Sequence, residues 1–265
     1  MRGAWALFVL LALTGCARGA ENDDAPETRL LVYFVRGEKV GVAARSVETT
    51  DGSLATAMRA LLAGPTDEEL GAGLHSEIPA GTGLRGASFR NDVATVDLTS
   101  GFESGGGSAS MLMRVAQVVY TLTQFPSINR VRFKIEGDAR EAIGGEGVVV
   151  EPPVGRGDFE DQTPAILVES PAPGDTIGRR FTVSGSANTF EATVNLRLVD
   201  TDGDTLLESF TTATSGSGVR GTFGGKLGYS LGEEGPGTFF AYERSAADGS
   251  EINVVEIPVE LRFGR

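Results

Sequence analysis

The sequence predicts an α+β domain, a sheet with two helices on one face, followed by an all-β sandwich. Three observations predict it. Residues 29–158 mix strand-like alternation with two segments whose apolar residues recur at helical spacing. Residues 163–265 hold only short apolar runs divided by turn residues. Glycine is abundant, at 37 of 265 residues, which favours a turn-rich, strand-rich chain over a helical bundle. The length suits two domains of ordinary size, and 40 % hydrophobic residues suffice to fill their cores.

In the first domain, residues 29–158, Leu30 to Val35 is an apolar run with β-branched and aromatic members, hence a strand, and Val40 to Val47 supplies a second. Thr50-Asp51-Gly52-Ser53 offers helix-capping residues. Leu54, Ala57, Met58, Leu61 and Leu62 then follow at helical spacing, with Gly64 and Pro65 as the stop, so a helix is expected over 53–63. Ala87 to Arg90 and Val93 to Leu98 alternate around Asn91-Asp92, as in a hairpin with a two-residue turn. Gly101 to Ser108 reads as a glycine- and serine-rich loop. Met111, Leu112, Val115, Val118, Val119 and Leu122 mark a second helix with one apolar stripe, ended by Pro126. Val131 to Ile135 alternates as a strand before a turn at Glu136-Gly137-Asp138. Two singly striped helices can bury their stripes only against a sheet face.

Asp158 to Thr163 reads as a polar join. In the second domain, residues 163–265, strands are expected at Ile166–Val168, Phe181–Val183, Ala192–Val199, Leu206–Phe210, Gly221–Gly224, Gly237–Tyr242 and Val254–Phe263. Short strands at turn-punctuated spacing over about 100 residues indicate an immunoglobulin-like sandwich. The cysteine pair and core Trp of antibody domains are missing from this segment.

The N-terminus reads as a processing signal. Arg2 is a short basic region, and Ala4 to Leu13 is an apolar stretch too short to span a bilayer comfortably. Leu13-Thr14-Gly15-Cys16 then has the layout of a bacterial lipobox. Residues 1–15 are therefore expected to be a signal peptide, with Cys16 the lipid-attachment site and first mature residue. Residues 16–28 are expected to be a polar tether without apolar periodicity. The expected location is extracytoplasmic, at the outer face of the cell membrane.

Composition bounds the partners. There are 36 acidic against 23 basic residues, a net charge of −13. That balance excludes nucleic acid, which needs a basic stripe, and disfavours direct adhesion to anionic headgroups. Cys16 is the sole cysteine, so no intramolecular disulfide and no cysteine-based zinc site can form. No cofactor and no metal site are expected.

Chemical motifs reduce to structural ones. Gly81-Thr-Gly83-Leu-Arg-Gly86 fits a dinucleotide pattern, but Pro79 precedes it and a strand follows, so a turn is expected. Asp200-Thr-Asp202-Gly203-Asp204 is similar to the start of a calcium loop, but its glycine comes too early; a hairpin turn is the better reading. His75, the single histidine, is expected on a surface loop, and no G-x-S-x-G elbow occurs. Phe190 and Glu191 are the candidate binding residues, a ligand contact set against the default of a packed Phe beside a hydrogen-bonded Glu.

Four segments carry a resemblance. Leu61 to Thr66, Ile78 to Thr82, Val96 to Leu98 and Gln117 to Pro126 resemble, in order, the GerMN domain family of sporulation and germination proteins. The resemblance implies assembly at the cell surface rather than catalysis. In spore formers such proteins help build a complex between two membranes, and their fold is related to ring-building modules. Ser170 to Gly174, Val183 to Ala187, Phe190 to Ala192 and Tyr242 to Ser250 resemble the immunoglobulin-like domain of bacterial spore germination, which often follows a GerMN domain. Together these features lead to an expected function: a non-catalytic cell-envelope lipoprotein that binds other envelope proteins. The alternatives are a peptidoglycan- or carbohydrate-binding protein and a carboxylate-based wall hydrolase.

Overall fold

The computed structural model describes residues 27–48, 53–145, 147–230 and 232–263. Cys16, the signal segment and the proposed cap at Thr50 to Gly52 lie outside the described residues. Strands β1 (Glu27–Arg36) and β2 (Lys39–Glu48) form a hairpin in register from Glu27↔Glu48 to Arg36↔Lys39. Helix α1 (Ser53–Leu62) buries Leu54, Ala57, Met58 and Leu61. It ends at Gly64, whose φ of +78° needs a glycine and whose N–H donates to Leu61 O. A short helix α2 (Asp67–Gly71) follows, capped by Thr66 and Glu69, which bond each other's backbone N–H. Strand β3 (Leu74–His75) pairs with β1 and gives a sheet of order β2-β1-β3; His75 thus sits on a sheet edge rather than in a loop.

A second sheet has the order β4-β5-β6-β7. Strands β4 (Leu84–Arg90) and β5 (Val93–Leu98) join through Asn91 and Asp92, both at positive φ (48° and 61°), the backbone a two-residue hairpin turn requires. Helix α3 (Ser108–Leu122) crosses over to β6 (Arg130–Ile135), which runs parallel to β5. β7 (Asp138–Ala139) folds back antiparallel on β6, and β8 (Ala142–Ile143) pairs with β9 (Val148–Val149). Both α1 and α3 pack against strands of both sheets and against each other. α3 departs from the expected single stripe: from Met111 to Leu122 every residue except Leu112 is buried. The loop expected at Gly101 to Ser108 begins as a one-turn helix, Ser100–Glu103, with Phe102 fully buried. Arg114 explains the rest of it, donating to the carbonyls of Phe102, Ser104 and Gly105.

The join at Asp158 to Thr163 is likewise more than polar chain. Residues Arg156–Gln162 form a short 3-10 helix that buries Phe159 in the first core, and that core continues to Leu167. Beyond it all seven expected strands form: β10 (Ile166–Ser170), β12 (Arg180–Ala187), β13 (Thr193–Asp200), β14 (Thr205–Thr212), β15 (Gly221–Gly228), β16 (Gly235–Arg244) and β17 (Glu251–Leu261). A two-residue strand β11 (Thr176–Ile177) adds to them. Sheets β10-β12-β15 and β11-β17-β16-β13-β14 face each other over a core with Val183, Leu196, Leu198, Phe239 and Ile257. Phe181 meets Tyr229 and Phe239 edge-on within it.

Gly185, in the middle of β12, is where the neighbouring strands β10 and β15 leave no room. A Cβ there would collide with Leu167 O and come 2.7 Å from Phe223 Cζ. Gly185→Ala is expected to lower unfolding free energy by about 1–3 kcal/mol through overpacking, read from urea denaturation.

Candidate docking cleft

The two cores are joined by a half-buried arginine. Arg156 lies with its guanidinium carbon 5.1 Å from the Tyr33 ring centre and 4.7 Å from that of Tyr120. It donates to Glu169 Oε1 (2.7 Å), to Tyr33 Oη (3.0 Å), to Thr123 Oγ1 (2.9 Å) and to the Tyr120 carbonyl (3.3 Å). Tyr33 Oη in turn donates to Glu169 Oε1 at 2.5 Å. Burial pushes the Tyr33 phenol well above its ordinary value; Arg156 pulls it down and Glu169 pushes it up. Burial also works against the Arg156 charge, but Tyr33 and Glu169 outweigh it and hold the guanidinium protonated. Residues of β1, α3, the 3-10 helix and β10 thus meet in one group.

Further ties flank it. Arg220 grips Glu160 (2.8 Å) and the Pro164 carbonyl (2.6 Å), while Asn188 donates to Glu160 (3.0 Å). Burial raises the Glu160 carboxyl, yet the hydrogen bonds from Arg220 and Asn188 win and hold it below the usual glutamate value. Arg29 pairs with Asp175 at 2.7 Å, Arg36 donates to Glu256 O at 3.0 Å, and Lys39 donates to Asp161 O at 2.5 Å.

Held this way, the two halves enclose a cleft of about 780 Å³. One wall is β2 from Ala43 to Val47 with Thr66, Glu68 and Glu69; the other includes Pro173, Gly174, Asp175, Pro236, Pro258 and Glu260. The β2 wall is an unpaired strand edge. On β1, Leu31 N–H donates to Gln124 Oε1 (2.8 Å) and Tyr33 N–H to Thr121 Oγ1 (3.2 Å). The carbonyls of Leu31 and Tyr33 accept from Gln124 (2.6 Å) and Gln117 (3.3 Å). Side chains of α3 and of the turn after it therefore stand in for a neighbouring strand here. Main-chain groups of an antiparallel pair alternate in direction. Val42 opposite Tyr33, Ala44 opposite Leu31 and Ser46 opposite Arg29 must therefore aim their N–H and C=O away from β1. Near Val40 and Val42 that edge lies against Ile166 to Val168 of β10. At Ala44 and Ser46 it opens into the cleft.

The residues singled out in the sequence lie elsewhere. Phe190 and Glu191 begin a one-turn helix, Phe190–Ala192, ahead of β13, with Glu191 at a φ of +53°. Phe190 is not packed but 53 % exposed, and its N–H donates to Glu243 Oε1 (2.8 Å). The backbone N–H of Glu191 donates to Ser217 Oγ at 3.2 Å. Asp200 Oδ1 accepts from the N–H of Asp202 and Asp204, a turn-closing role in the β13–β14 hairpin. Gly81, at φ +85°, sits in a turn ahead of β4. No group of three metal-ligating side chains occurs among the described residues. Sequence reasoning missed Tyr33, Arg156 and Glu169, which no local pattern links. It also missed α2, although Thr66-x-x-Glu69 is a capping-box signature.

Residues 31–141 match the Germane family, described as sporulation and spore germination. Residues 165–250 match Gmad2, the immunoglobulin-like domain of bacterial spore germination. The chain carries a Germane domain followed by a Gmad2 domain. Neither description names an enzymatic activity. Among solved structures, the first GerMN domain of the sporulation protein GerM from Bacillus subtilis is 25 % identical. That match covers 49 % of this chain and 99 % of that one, with a TM-score of 0.40. The tandem GerMN domains of the same protein are 16 % identical over 90 % of this chain and 61 % of that one, with a TM-score of 0.41. A putative lipoprotein from Clostridium perfringens is 21 % identical over 50 % of this chain and 89 % of that one, with a TM-score of 0.37. No curated protein matches the chain. Arg156 and Glu160 fall between the Germane and Gmad2 segments, and β17, an inner strand of its sheet, lies beyond the Gmad2 match.

Two outcomes test the join. Arg156→Ala leaves the Glu169 carboxylate without its cation, with only the Tyr33 hydroxyl donating to it, and is expected to cost about 2–4 kcal/mol in denaturant unfolding, with Arg156→Lys recovering less than half because it lacks the planar fork. Because folding lowers the Glu160 pKa, its contribution is present above the ordinary glutamate value and lost as pH falls through the folded one. Thermal melts from pH 6 down to 3 should fall less steeply for Glu160→Gln than for the parent chain.

Proposed function

We propose that this chain is a non-catalytic envelope lipoprotein that binds and helps assemble other envelope proteins, held at the outer face of the cell membrane through a lipidated Cys16. The observation that carries the reading is the fixed apposition of the Germane and Gmad2 domains around a cleft with an open strand edge. A surface built this way, by a multi-residue join rather than a loose linker, suits protein recognition. The two family descriptions support a spore-related envelope setting. Leu13 to Cys16 supports the anchor. No helix among the described residues is long and apolar enough to cross a membrane. With a net charge of −13, the chain would be repelled by anionic headgroups, so attachment would rest on acyl chains at about 0.8 kcal/mol per buried CH₂.

A second reading has its own observation. Phe190 and Phe210 are 53 % and 67 % exposed, and exposed aromatic rings can stack on sugars. Peptidoglycan binding through the Gmad2 domain is therefore the alternative, decided by whether purified protein co-pellets with cell wall.

For the leading reading, Cys16→Ser should move the protein from washed membranes to the soluble extracytoplasmic fraction with its thermal melt unchanged. Crosslinking in intact cells should give discrete adducts with envelope proteins. A fully membrane-bound Cys16→Ser variant refutes the anchor, and a crosslinked sample without protein adducts refutes the binding role.

A further inference from the structure

The open edge of β2 has the chemistry of an acceptor for a specific kind of segment. Four main-chain groups, the N–H and C=O of Ala44 and of Ser46, face the cleft with no hydrogen-bond partner among the described residues. Exposed edges of this kind are normally blunted by a charge, a proline or a covering loop. Here the local charge is tied down rather than presented to a partner: Arg45 donates to Ala60 O (2.7 Å), Gly64 O (2.8 Å) and Glu69 (2.6 Å). The side chains beside the edge are small, so another backbone can approach to strand-pairing distance.

The cleft also has a sign. Arg45 is the cation lining it, and Glu69 neutralises it. Arg29 neutralises Asp175, and Glu260 has Arg262 at 3.8 Å. Glu68 has no ion-pair partner among the described residues, and its carboxylate reaches across towards Gly174 on the opposite wall, lying 3.1 Å from where a Cβ would stand. An entering segment thus meets unpaired acceptors and donors on one side and an uncompensated carboxylate above them.

We propose that the β2 edge at Ala44 and Ser46 captures an extended, basic segment of a partner protein, which adds as a strand while a Lys or Arg pairs with Glu68. This deepens the protein-binding role proposed above and rests on it. Main-chain pairing would supply the affinity and the carboxylate the sign.

Ser46→Pro tests the edge without breaking the hairpin, because the N–H it removes points away from β1. The full chain carrying Cys16→Ser is panned against a displayed library of random octapeptides, beside a Ser46→Pro counterpart whose melting temperature is checked to be the same. Enriched peptides are expected to be basic and proline-poor, to weaken at least tenfold in Kd on Ser46→Pro and severalfold on Glu68→Gln, and to protect the Ala44 and Ser46 amides from hydrogen exchange. If Ser46→Pro lost stability, Ala44→Pro would serve in its place, and amide protection by the enriched peptides would be read on the parent chain. Equal enrichment on parent and variant, or a preference for acidic peptides, overturns the proposal. So does a concentration-dependent dimer abolished by Ser46→Pro, which would seat a second copy there. Cellular adducts that persist in Ser46→Pro sink this inference and leave the broader binding role standing. Peptide capture without cellular adducts does the reverse.

Discussion

A guanidinium held between two tyrosine rings has to keep its charge while losing much of its water. Arg156 meets that constraint with a carboxylate from β10, a phenol from β1, a hydroxyl and a carbonyl from α3, and two ring faces. Removing a charge from water costs several kcal/mol, and only a nearly complete set of partners offsets it. The set is complete only when both domains are in place, because Glu169 belongs to one and Tyr33 and Tyr120 to the other. The join is therefore conditional on docking, and docking on the join. Its neighbours reinforce that logic: Glu160 takes Arg220 and Asn188 from the Gmad2 side while Phe159, one residue earlier, is sunk in the first core.

The same economy governs the strands. α3 is too deeply buried to present an ordinary polar face, yet it carries Gln117 and Thr121, and Gln124 follows two residues past its end. Each satisfies backbone groups of β1 that a sheet would otherwise leave bare. One flank of the hairpin is thereby closed by side chains at Leu31 and Tyr33, and by β3 at Val35 and Arg36. The other flank, on β2, has β10 beside it near Val40 and Val42, across a smaller cleft of about 370 Å³ lined also by Ile166 to Val168. The β2 edge thus runs unpaired from that smaller cleft into the larger one at Ala44 and Ser46.

What could be read from the sequence follows from the range of the interactions. Gly64 before Pro65, Asn91-Asp92 between alternating runs, and Asp202-Gly203 are local conformational demands, and each turn stands where its residues require. All seven strands of the second domain were legible because a half-buried strand writes a period of two. α3 was legible as a helix but not as a buried one, since apolar and polar faces say nothing about a second sheet covering the polar one. The parallel β5–β6 pair was hidden for the same reason: pairing partners 37 residues apart leave no mark on either segment. The Arg156 group is further out of reach, with Tyr33 and Glu169 separated by 136 residues. Phe190 was misjudged because an aromatic beside a strand start looks the same whether packed or exposed. Cys16 is the opposite case, a motif plain in sequence whose residues lie outside those described.

The place of the open edge bears on its use. Glu27, where β1 begins, pairs with Glu48, and Ser46 pairs with Arg29, so the cleft opens two residue pairs from the point at which the chain leaves the sheet towards Cys16. Two pairs are roughly 7 Å along a strand. Eleven positions separate Cys16 from Glu27, a reach of at most about 40 Å when fully extended. With the anchor proposed at Cys16, the cleft belongs to the membrane-proximal end of the molecule, whereas Phe190 and its one-turn helix lie on the Gmad2 domain, beyond the Arg156 join. A segment seated on β2 would then come from a protein that itself stands close to the bilayer. A basic segment fits that zone on physical grounds: the anionic headgroups that repel this acidic chain concentrate cationic ones within about a Debye length of the surface. On the proposed anchoring, the net charge of −13 and the Glu68 carboxylate in the cleft would both favour a basic partner.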